Sequence, residues 1–164
     1  MDQREPDAPE SQDQEAATEP DATSFEVVLR GIVNVVYADG GKDFGYIDRG
    51  PDRYYFDPRL VAAEKRPVRG DTVFFTARPP LQEGGRPIAA CVLVKGKPAV
   101  GSVVNILPSG RACFLAVTDG LGHHYNVYMG LPETMESVSL GDRIRFIADE
   151  NRKGPSALRP GRVE

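Results

Sequence analysis

The sequence contains no tryptophan, two histidines and only two cysteines in 164 residues. Cys91 and Cys113 are too few and too isolated to form a disulfide framework or a cysteine-rich zinc site. The adjacent pair His123 and His124 would point to opposite faces of a strand, and no further ligand residues follow at a metal-binding spacing. We therefore expect no metal and no other cofactor, a hairpin turn at the histidines, and a reducing cytoplasm as the compartment.

Long apolar runs are also missing. No segment approaches the roughly 18 residues that a membrane helix needs, and the N-terminus lacks a basic stretch followed by an apolar one. These absences predict a soluble, cytoplasmic protein with no membrane partner. Signatures of catalysis are missing as well, including the G-x-S-x-G elbow, the G-x-x-x-x-G-K-[ST] phosphate loop and the H-E-x-x-H pair. The sequence predicts that the protein is not an enzyme.

The first 24 residues have a composition of their own. They contain no aromatic residue and almost no aliphatic one, so they cannot bury enough apolar surface to offset their ordering entropy, and we predict that they are disordered. They hold eight acids and one base, which leaves 16 acids and 19 bases of the chain's 24 and 20 for the remainder. A mildly basic body is compatible with a polyanion partner, for which the acidic tail could compete. A tail that only aids solubility is the alternative.

Short β-branched and aromatic runs begin at Phe25. They read FEVVLRGIVNVVY, FGYI, RYYF, DTVFFTA and IAACVLV, and glycine, proline and aspartate clusters separate them. This pattern predicts small antiparallel strands in an all-β barrel or sandwich. The only helical signal is RLVAAEKR, residues 59–66, which could form one or two turns before Pro67.

The second half of the chain repeats the first. Gly31-Ile32-Val33 recurs as Gly101-Ser102-Val103, FGYI at 44–47 as ACFL at 112–115, and GDTVFF at 70–75 as GDRIRF at 141–146. A nearly constant offset indicates two copies of one unit of about 65 to 70 residues. We predict a disordered tail over residues 1–24, a first domain over 25–97 and a second over 98–164. The short joint at 95–100 favours two units packed side by side.

The order of these elements resembles the cold-shock domain, a five-stranded oligonucleotide-binding (OB) barrel. The matching segments are G-I-V-N-V-V-Y from Gly31, K-D-F-G-Y-I from Lys42, R-Y-Y-F-D from Arg53, G-D-T-V-F-F from Gly70 and R-P-I-A-A-C-V from Arg86. The resemblance implies two tandem OB barrels, of which the second is degenerate. It also implies a bacterial protein that binds single-stranded RNA or DNA with low sequence preference, as an RNA chaperone or a regulator of transcription or translation.

The resemblance places the binding surface on the second and third strands, and the residues agree with it. Strand side chains alternate, so placing Ile47 inside the barrel puts Phe44 and Tyr46 outside together. Exposed rings beside basic residues form a stacking platform worth about 1 to 3 kcal/mol per base. Lys42 and Arg53 would then contact phosphates. The alternative is that both aromatics are ordinary barrel residues, because aromatics favour strands in any case.

The register of the third strand remains open at this point. If Tyr54 and Phe56 face inward, Tyr55 is the stacking residue, and Asp57 stands where the family has a histidine. A shift by one residue reverses the faces, and we favour the first register. The family's first strand carries a tryptophan and a phenylalanine on the binding side, where this chain has Val35 and Val36, and Tyr37 is the only ring nearby.

The second unit keeps fewer of these features. Phe114 and Tyr128 remain as candidate stacking residues. Arg143 and Arg145 alternate with apolar residues, so both guanidinium groups share one exposed strand face. Together with the basic segment at 151–162, they could hold the nucleic-acid backbone. A plain solvated strand face is the alternative for the arginine pair.

A function of a different class also fits this sequence. Loss of first-strand aromatics, a neutral second unit and an acidic tail are what a protein-interaction module would show after losing most of its nucleic-acid binding, and OB barrels host many functions. Rings exposed beside a positive rim favour nucleic acid, whereas rings buried between the two barrels favour a protein partner. The oligomeric state is not predicted.

Overall fold

The computed structural model describes residues 27–39 and 42–163 of the chain. The predicted disordered tail and the side chain of Lys42 lie outside the described part. The first five strands are β1 (Leu29–Asp39), β2 (Lys42–Arg49), β3 (Asp52–Phe56), β4 (Thr72–Arg78) and β5 (Ile88–Val94). The other five are β6 (Pro98–Ile106), β7 (Ala112–Thr118), β8 (His124–Gly130), β9 (Arg143–Asn151) and β10 (Gly154–Arg162). None of the described residues belongs to a helix that could cross a membrane.

The first five strands close into a barrel in the order β1-β2-β3-β5-β4. All neighbours are antiparallel except β3 and β5, which pair in parallel at Tyr55 and Ile88. This is the strand arrangement of an OB barrel. The core inside it includes Val33, Ile47 and Phe56, each at most 1% exposed. Alternation along each strand sends their sequence neighbours to the outer surface.

The second five strands repeat this architecture in the order β10-β8-β7-β6-β9, again closed and again with one parallel pair, β8 and β10. Val33 pairs with Ile47 in the first barrel, and Val103 pairs with Leu115 in the second. A register shift follows Val33 and Val103 at the same place in both barrels. The predicted all-β fold of two tandem five-stranded barrels is therefore confirmed.

The two barrels share a continuous apolar interface. Strands β4 and β5 of the first barrel are buried on both faces, because Val73 and Val94 point into their own barrel while Phe74 and Leu93 pack into the core of the second. The Tyr125 hydroxyl, inside the second barrel, donates a hydrogen bond to the Phe74 carbonyl at 3.3 Å. Burial raises the pKa of Tyr125 well above its usual value, so this hydroxyl keeps its proton.

A bulge in β5 adds a polar contact to this interface. Cys91 has φ of +55° where the register between β4 and β5 shifts, a conformation that costs energy for any residue with a Cβ. Its N–H donates to the Asp119 carboxylate at 2.9 Å, and its thiol donates to the Val117 carbonyl at 3.3 Å. The same carboxylate accepts from the backbone of His123 and lies 3.3 Å from its Nδ1. His123 therefore belongs to a turn that Asp119 organises, and the described residues contain no cluster of three metal ligands.

The predicted helix at residues 59–66 is wrong. Backbone donors that a helix would use internally are taken by strands, because Ala62 and Ala63 donate to Val92 and Glu64 donates to Pro98. Ala63 also forms an isolated antiparallel bridge with Ala99 of the second barrel. This segment is therefore part of the inter-barrel contact rather than a helical cap.

Candidate nucleic-acid interface

The face of strand β2 is decided by close packing at Gly45. A Cβ built at this glycine would lie 2.5 Å from the Phe56 ring and 2.8 Å from the Val35 carbonyl oxygen. The space inside the barrel at this point is therefore filled by Phe56, which is 1% exposed. With Gly45 and Ile47 turned inward, alternation places Phe44 and Tyr46 on the outside.

Four rings form one patch on the outer face of β1, β2 and β3, and we call it the aromatic platform: Tyr37, Phe44, Tyr46 and Tyr55. The Phe44 ring is central, with centroids 4.7 Å from Tyr37, 5.9 Å from Tyr46 and 6.3 Å from Tyr55. The rings of Phe44 and Tyr55 are within 14° of parallel. Tyr37 is 47% exposed, and the other three are half-buried. The rings therefore support one another while leaving surface free.

The structure adopts the favoured register of strand β3. Tyr54 is 7% exposed and packs against Phe75 with ring centroids 4.9 Å apart, and Phe56 is 1% exposed. Tyr55 faces outward and pairs directly with Tyr46 of β2. The outward position of Tyr55 agrees with the sequence analysis, and its role in stacking stays a prediction.

Two arginines flank Tyr46. The Arg53 guanidinium carbon lies 5.7 Å from the Tyr46 ring centroid, and that of Arg86 lies 5.9 Å away. Arg53 is also engaged with an acid, since its Nε donates to the Asp48 carboxylate at 2.7 Å. That hydrogen bond is the main cause of the lowered pKa of Asp48. A phosphate at this place would compete with Asp48 for Arg53. Forming the predicted phosphate contact would therefore require weakening the Asp48–Arg53 ion pair.

The carboxylates beside the platform are likewise paired. Asp57 receives two hydrogen bonds from the Arg59 guanidinium, at 3.1 and 2.9 Å. These bonds hold the pKa of Asp57 below its ordinary value. Asp43 lies 3.5 Å from Arg59 and 3.6 Å from Arg66. The repulsion that an unpaired carboxylate at this place would exert on a phosphate is thus offset within the protein itself.

The second barrel carries a smaller ring pair on the equivalent face. The centroids of Phe114 and Tyr128 are 5.9 Å apart in an edge-on arrangement, and Tyr128 is 37% exposed. Beside them lies a groove of about 960 Å³, which we call the second-barrel groove. Its walls are Val27, Val28, Asn105, Leu107, Phe114, Tyr125, Asn126, Tyr128 and residues 151–155. The structure therefore brings the predicted ring pair together with part of the predicted basic segment, namely Arg152 and Lys153.

The arginines of β9 lie elsewhere. Arg143 and Arg145 are both exposed, but β9 pairs with β6 and β10, so it is not adjacent to the strands that carry the ring pair. Arg145 is held by the first barrel, because its Nε and an Nη donate to the Glu64 carboxylate at 2.8 and 3.1 Å. This pairing lowers the pKa of Glu64 and raises that of Arg145. Arg145 thus connects the two barrels and is not positioned beside Phe114.

Arg86 is a further candidate site residue, and it was not predicted from the sequence. It lies in the loop between β4 and β5, far from the other platform residues in sequence, and only barrel closure brings it to Tyr46. A signal was present, because the loop joining the fourth and fifth strands of an OB barrel borders the binding face.

No protein-family model matches the chain, and neither does any curated protein. Among solved structures, it is similar to a cold-shock-domain segment of Drosophila Unr, with 12% identity, 84% of this chain and 62% of that chain covered, and a TM-score of 0.33. It is also similar to a murine DNA-binding protein bound with double-stranded DNA, with 11% identity, 84% and 99% covered, and a TM-score of 0.29.

Proposed function

We propose that this protein binds single-stranded RNA or DNA with low sequence preference through the aromatic platform of its first barrel, in the manner of a cold-shock domain. In the cytoplasm it would act as an RNA chaperone or as a regulator of transcription or translation. The observation that supports this proposal is the platform itself, four contiguous and partly exposed rings on the outer face of one barrel.

The chemistry of the platform suits unpaired bases. Every base has a π-face, so stacking on Phe44, Tyr46 and Tyr55 contributes about 1 to 3 kcal/mol per base with little dependence on sequence. Bases in a duplex are already stacked on one another, so the platform would favour unpaired strands. Melting of RNA structure would follow from this preference without nucleotide hydrolysis.

The charges around the platform favour a mode dominated by stacking. Arg53 and Arg59 are each shared with a carboxylate, so fewer positive charges are free for phosphates than the number of arginines suggests. The slope of affinity against salt scales with the number of phosphates neutralised, at about 0.7 per phosphate for single strands. We therefore expect a shallow salt dependence at the first barrel.

A protein-interaction module remains the second candidate class. For a protein-interaction module we expect the aromatic rings of the platform to be buried between the two barrels. The inter-barrel contact instead uses β4 and β5, with Phe74, Cys91 and Leu93 at its centre, whereas the platform lies on β1 to β3. This separation supports the nucleic-acid proposal over its rival.

The test is fluorescence anisotropy with labelled RNA and DNA of about 12 to 20 nucleotides, at low and high salt. The double variant Phe44→Ala/Tyr46→Ala should lose more than about tenfold in affinity, while its thermal stability holds. Leu140→Ala serves as the control, since Leu140 is 67% exposed and lies in the β8–β9 loop. Absence of wild-type binding below about 100 micromolar at low salt, or equal binding by the double variant, would contradict the proposal.

A further inference from the structure

The second-barrel groove has a chemical character distinct from that of the first-barrel platform. Phe114 and Tyr128 contribute rings, and Arg152 and Lys153 contribute two positive charges from the exposed turn between β9 and β10. Among the residues that the structure describes, none of those lining this groove is acidic. The groove therefore suits an extended anionic chain that also carries an apolar or aromatic side chain.

The described part of the chain begins at this groove. Val27 and Val28 line it, and Val28 packs against the apolar core of the second barrel although it precedes the first strand of the first barrel. Val27 is 72% exposed. The platform is farther away, because Tyr37 lies eight residues along β1 from Leu29, or roughly 26 Å at strand spacing. The chain position from which residues 1–26 depart is therefore at the second-barrel groove and distant from Tyr37 of the platform.

The segment that precedes Val27 has the matching chemistry. Residues 1–26 contain nine acids against the single base Arg4, and their only aromatic residue, Phe25, stands two positions before Val27. Two extended residues span about 7 Å, which is enough to bring that ring to the groove. The whole segment could extend over roughly 90 Å, far more than the groove requires.

We propose that residues 1–26 occupy the second-barrel groove of their own chain, with carboxylates on Arg152 and Lys153 and the Phe25 ring against Phe114 and Tyr128. Each contact is weak, but the covalent link gives the segment an effective concentration in the millimolar range. An exposed ion pair is also screened by salt, so the contact is reversible. If the proposed function holds, the docked segment would also exclude nucleic acid from the second barrel. This competition rests on the proposed function, whereas the contact itself does not.

The contact can be measured without any nucleic acid. A nitroxide is attached to the cysteine of Ser11→Cys in the full-length, nitrogen-15-labelled protein, and it broadens the amide signals of residues that lie near it. The two native thiols are buried and are therefore disfavoured for labelling. We expect broadening at the amides of Phe114, Tyr128 and Lys153, with those of Phe44 and Tyr46 as internal controls. The broadening should disappear when the eight acids of residues 1–24 are changed to their amides, and in Arg152→Ser/Lys153→Ser.

Three results would overturn the proposal: no broadening, broadening spread evenly over both barrels, or broadening of the platform instead of the groove. A mixture of spin-labelled, unenriched chains with nitrogen-15-enriched, unlabelled chains detects docking on a second copy, and broadening of the groove amides in that mixture would also overturn the proposal. Competition is measured separately. The variant protein with neutralised tail acids should bind the oligonucleotide roughly three- to tenfold more tightly than the wild type at low salt. If no oligonucleotide binds to either form, the proposed function fails while the nitroxide result still decides the contact.

Discussion

The two barrels have the same strand order and the same bulge after the first interior valine, yet their equivalent outer faces differ. The first barrel has Phe44 on β2 where the second has the buried Ala112 on β7. The cross-strand pair Asp48 and Arg53 of the first barrel corresponds to Ala116 and Asn126 in the second. The side chains at interior positions are restrained by close packing. Those at outer positions face solvent or a ligand and are not restrained in this way. The ring and ion-pair features of the first barrel's outer face are therefore not required for closing the barrel.

The interiors differ in a compensated way. Gly45 pairs with Phe56 in the first barrel, and Cys113 pairs with Met129 at the same register in the second. A small residue under a large ring in the first barrel thus corresponds to two residues of intermediate size in the second. Because the barrel interior is close-packed, neither member of the pair could change alone without strain or a void.

The interface between the barrels offers the largest effect. Leu93 is fully buried in the core that the barrels share, so Leu93→Ala should lower the free energy of unfolding by about 2 to 5 kcal/mol. Denaturant unfolding, followed by tyrosine fluorescence and by circular dichroism, should show a single transition for the two barrels in the wild type and in Leu93→Ala. The control Leu81→Ala, at an 86% exposed site, should change stability by less than about 0.5 kcal/mol. Separate transitions in the wild type would show that the barrels are independent.

The interior pair gives the next effect. Gly45→Cys introduces the residue of the second barrel at a point where a Cβ meets the Phe56 ring at 2.5 Å, and we expect a loss of about 1 to 3 kcal/mol. Adding Phe56→Met should restore part of this loss. A double-mutant cycle by denaturant unfolding measures the coupling, which should favour the double variant by at least about 0.5 kcal/mol. Strictly additive changes would contradict the compensation.

The ring pair of the second barrel should matter less for binding than the platform. In the intact protein, Phe114→Ala/Tyr128→Ala should weaken oligonucleotide affinity by about threefold or less, because two rings offer less stacking surface and because the proposed docking of residues 1–26 would cover the groove. The same double variant in the neutralised-tail background should lose more. Anisotropy titrations of the four proteins make the comparison, and a loss equal to that of the platform variant would show two equivalent sites.

Acid should produce the smallest effect, and its sign follows from the paired carboxylates. The pKa values of Asp48, Asp57 and Glu64 are lowered from ordinary values of 3.8, 3.8 and 4.5. Their contribution to stability is therefore complete above those ordinary values and is lost as the pH falls through the lower, folded-state values. The melting temperature should be level from neutral pH to about pH 5 and then decline.

Two variants assign that decline to one barrel or to the link between them. Asp48→Asn removes a pair within the first barrel, and Glu64→Gln removes the pair with Arg145 that joins the barrels. Each should make the melting temperature slightly less sensitive to acid, by a small amount because the pairs are exposed. An unchanged acid profile in both variants would show that other carboxylates determine it.

Local sequence signals were enough to predict the strand pattern, the repeat and the shared outer face of Phe44 and Tyr46, whereas the register that turns Tyr55 outward was settled by the packing of Tyr54 and Phe56. The alternation around Phe44 to Ile47 and the recurring Gly-x-Val segments are local signals, and strand periodicity converts them directly into inside and outside. Tertiary structure alone decided the partners. Arg145 meets Glu64 across 81 residues, Arg86 reaches Tyr46 only through barrel closure, and residues 59–66 form no helix because their backbone donors bond to distant strands. Periodicity depends on neighbours in sequence, whereas these contacts depend on how two closed barrels pack.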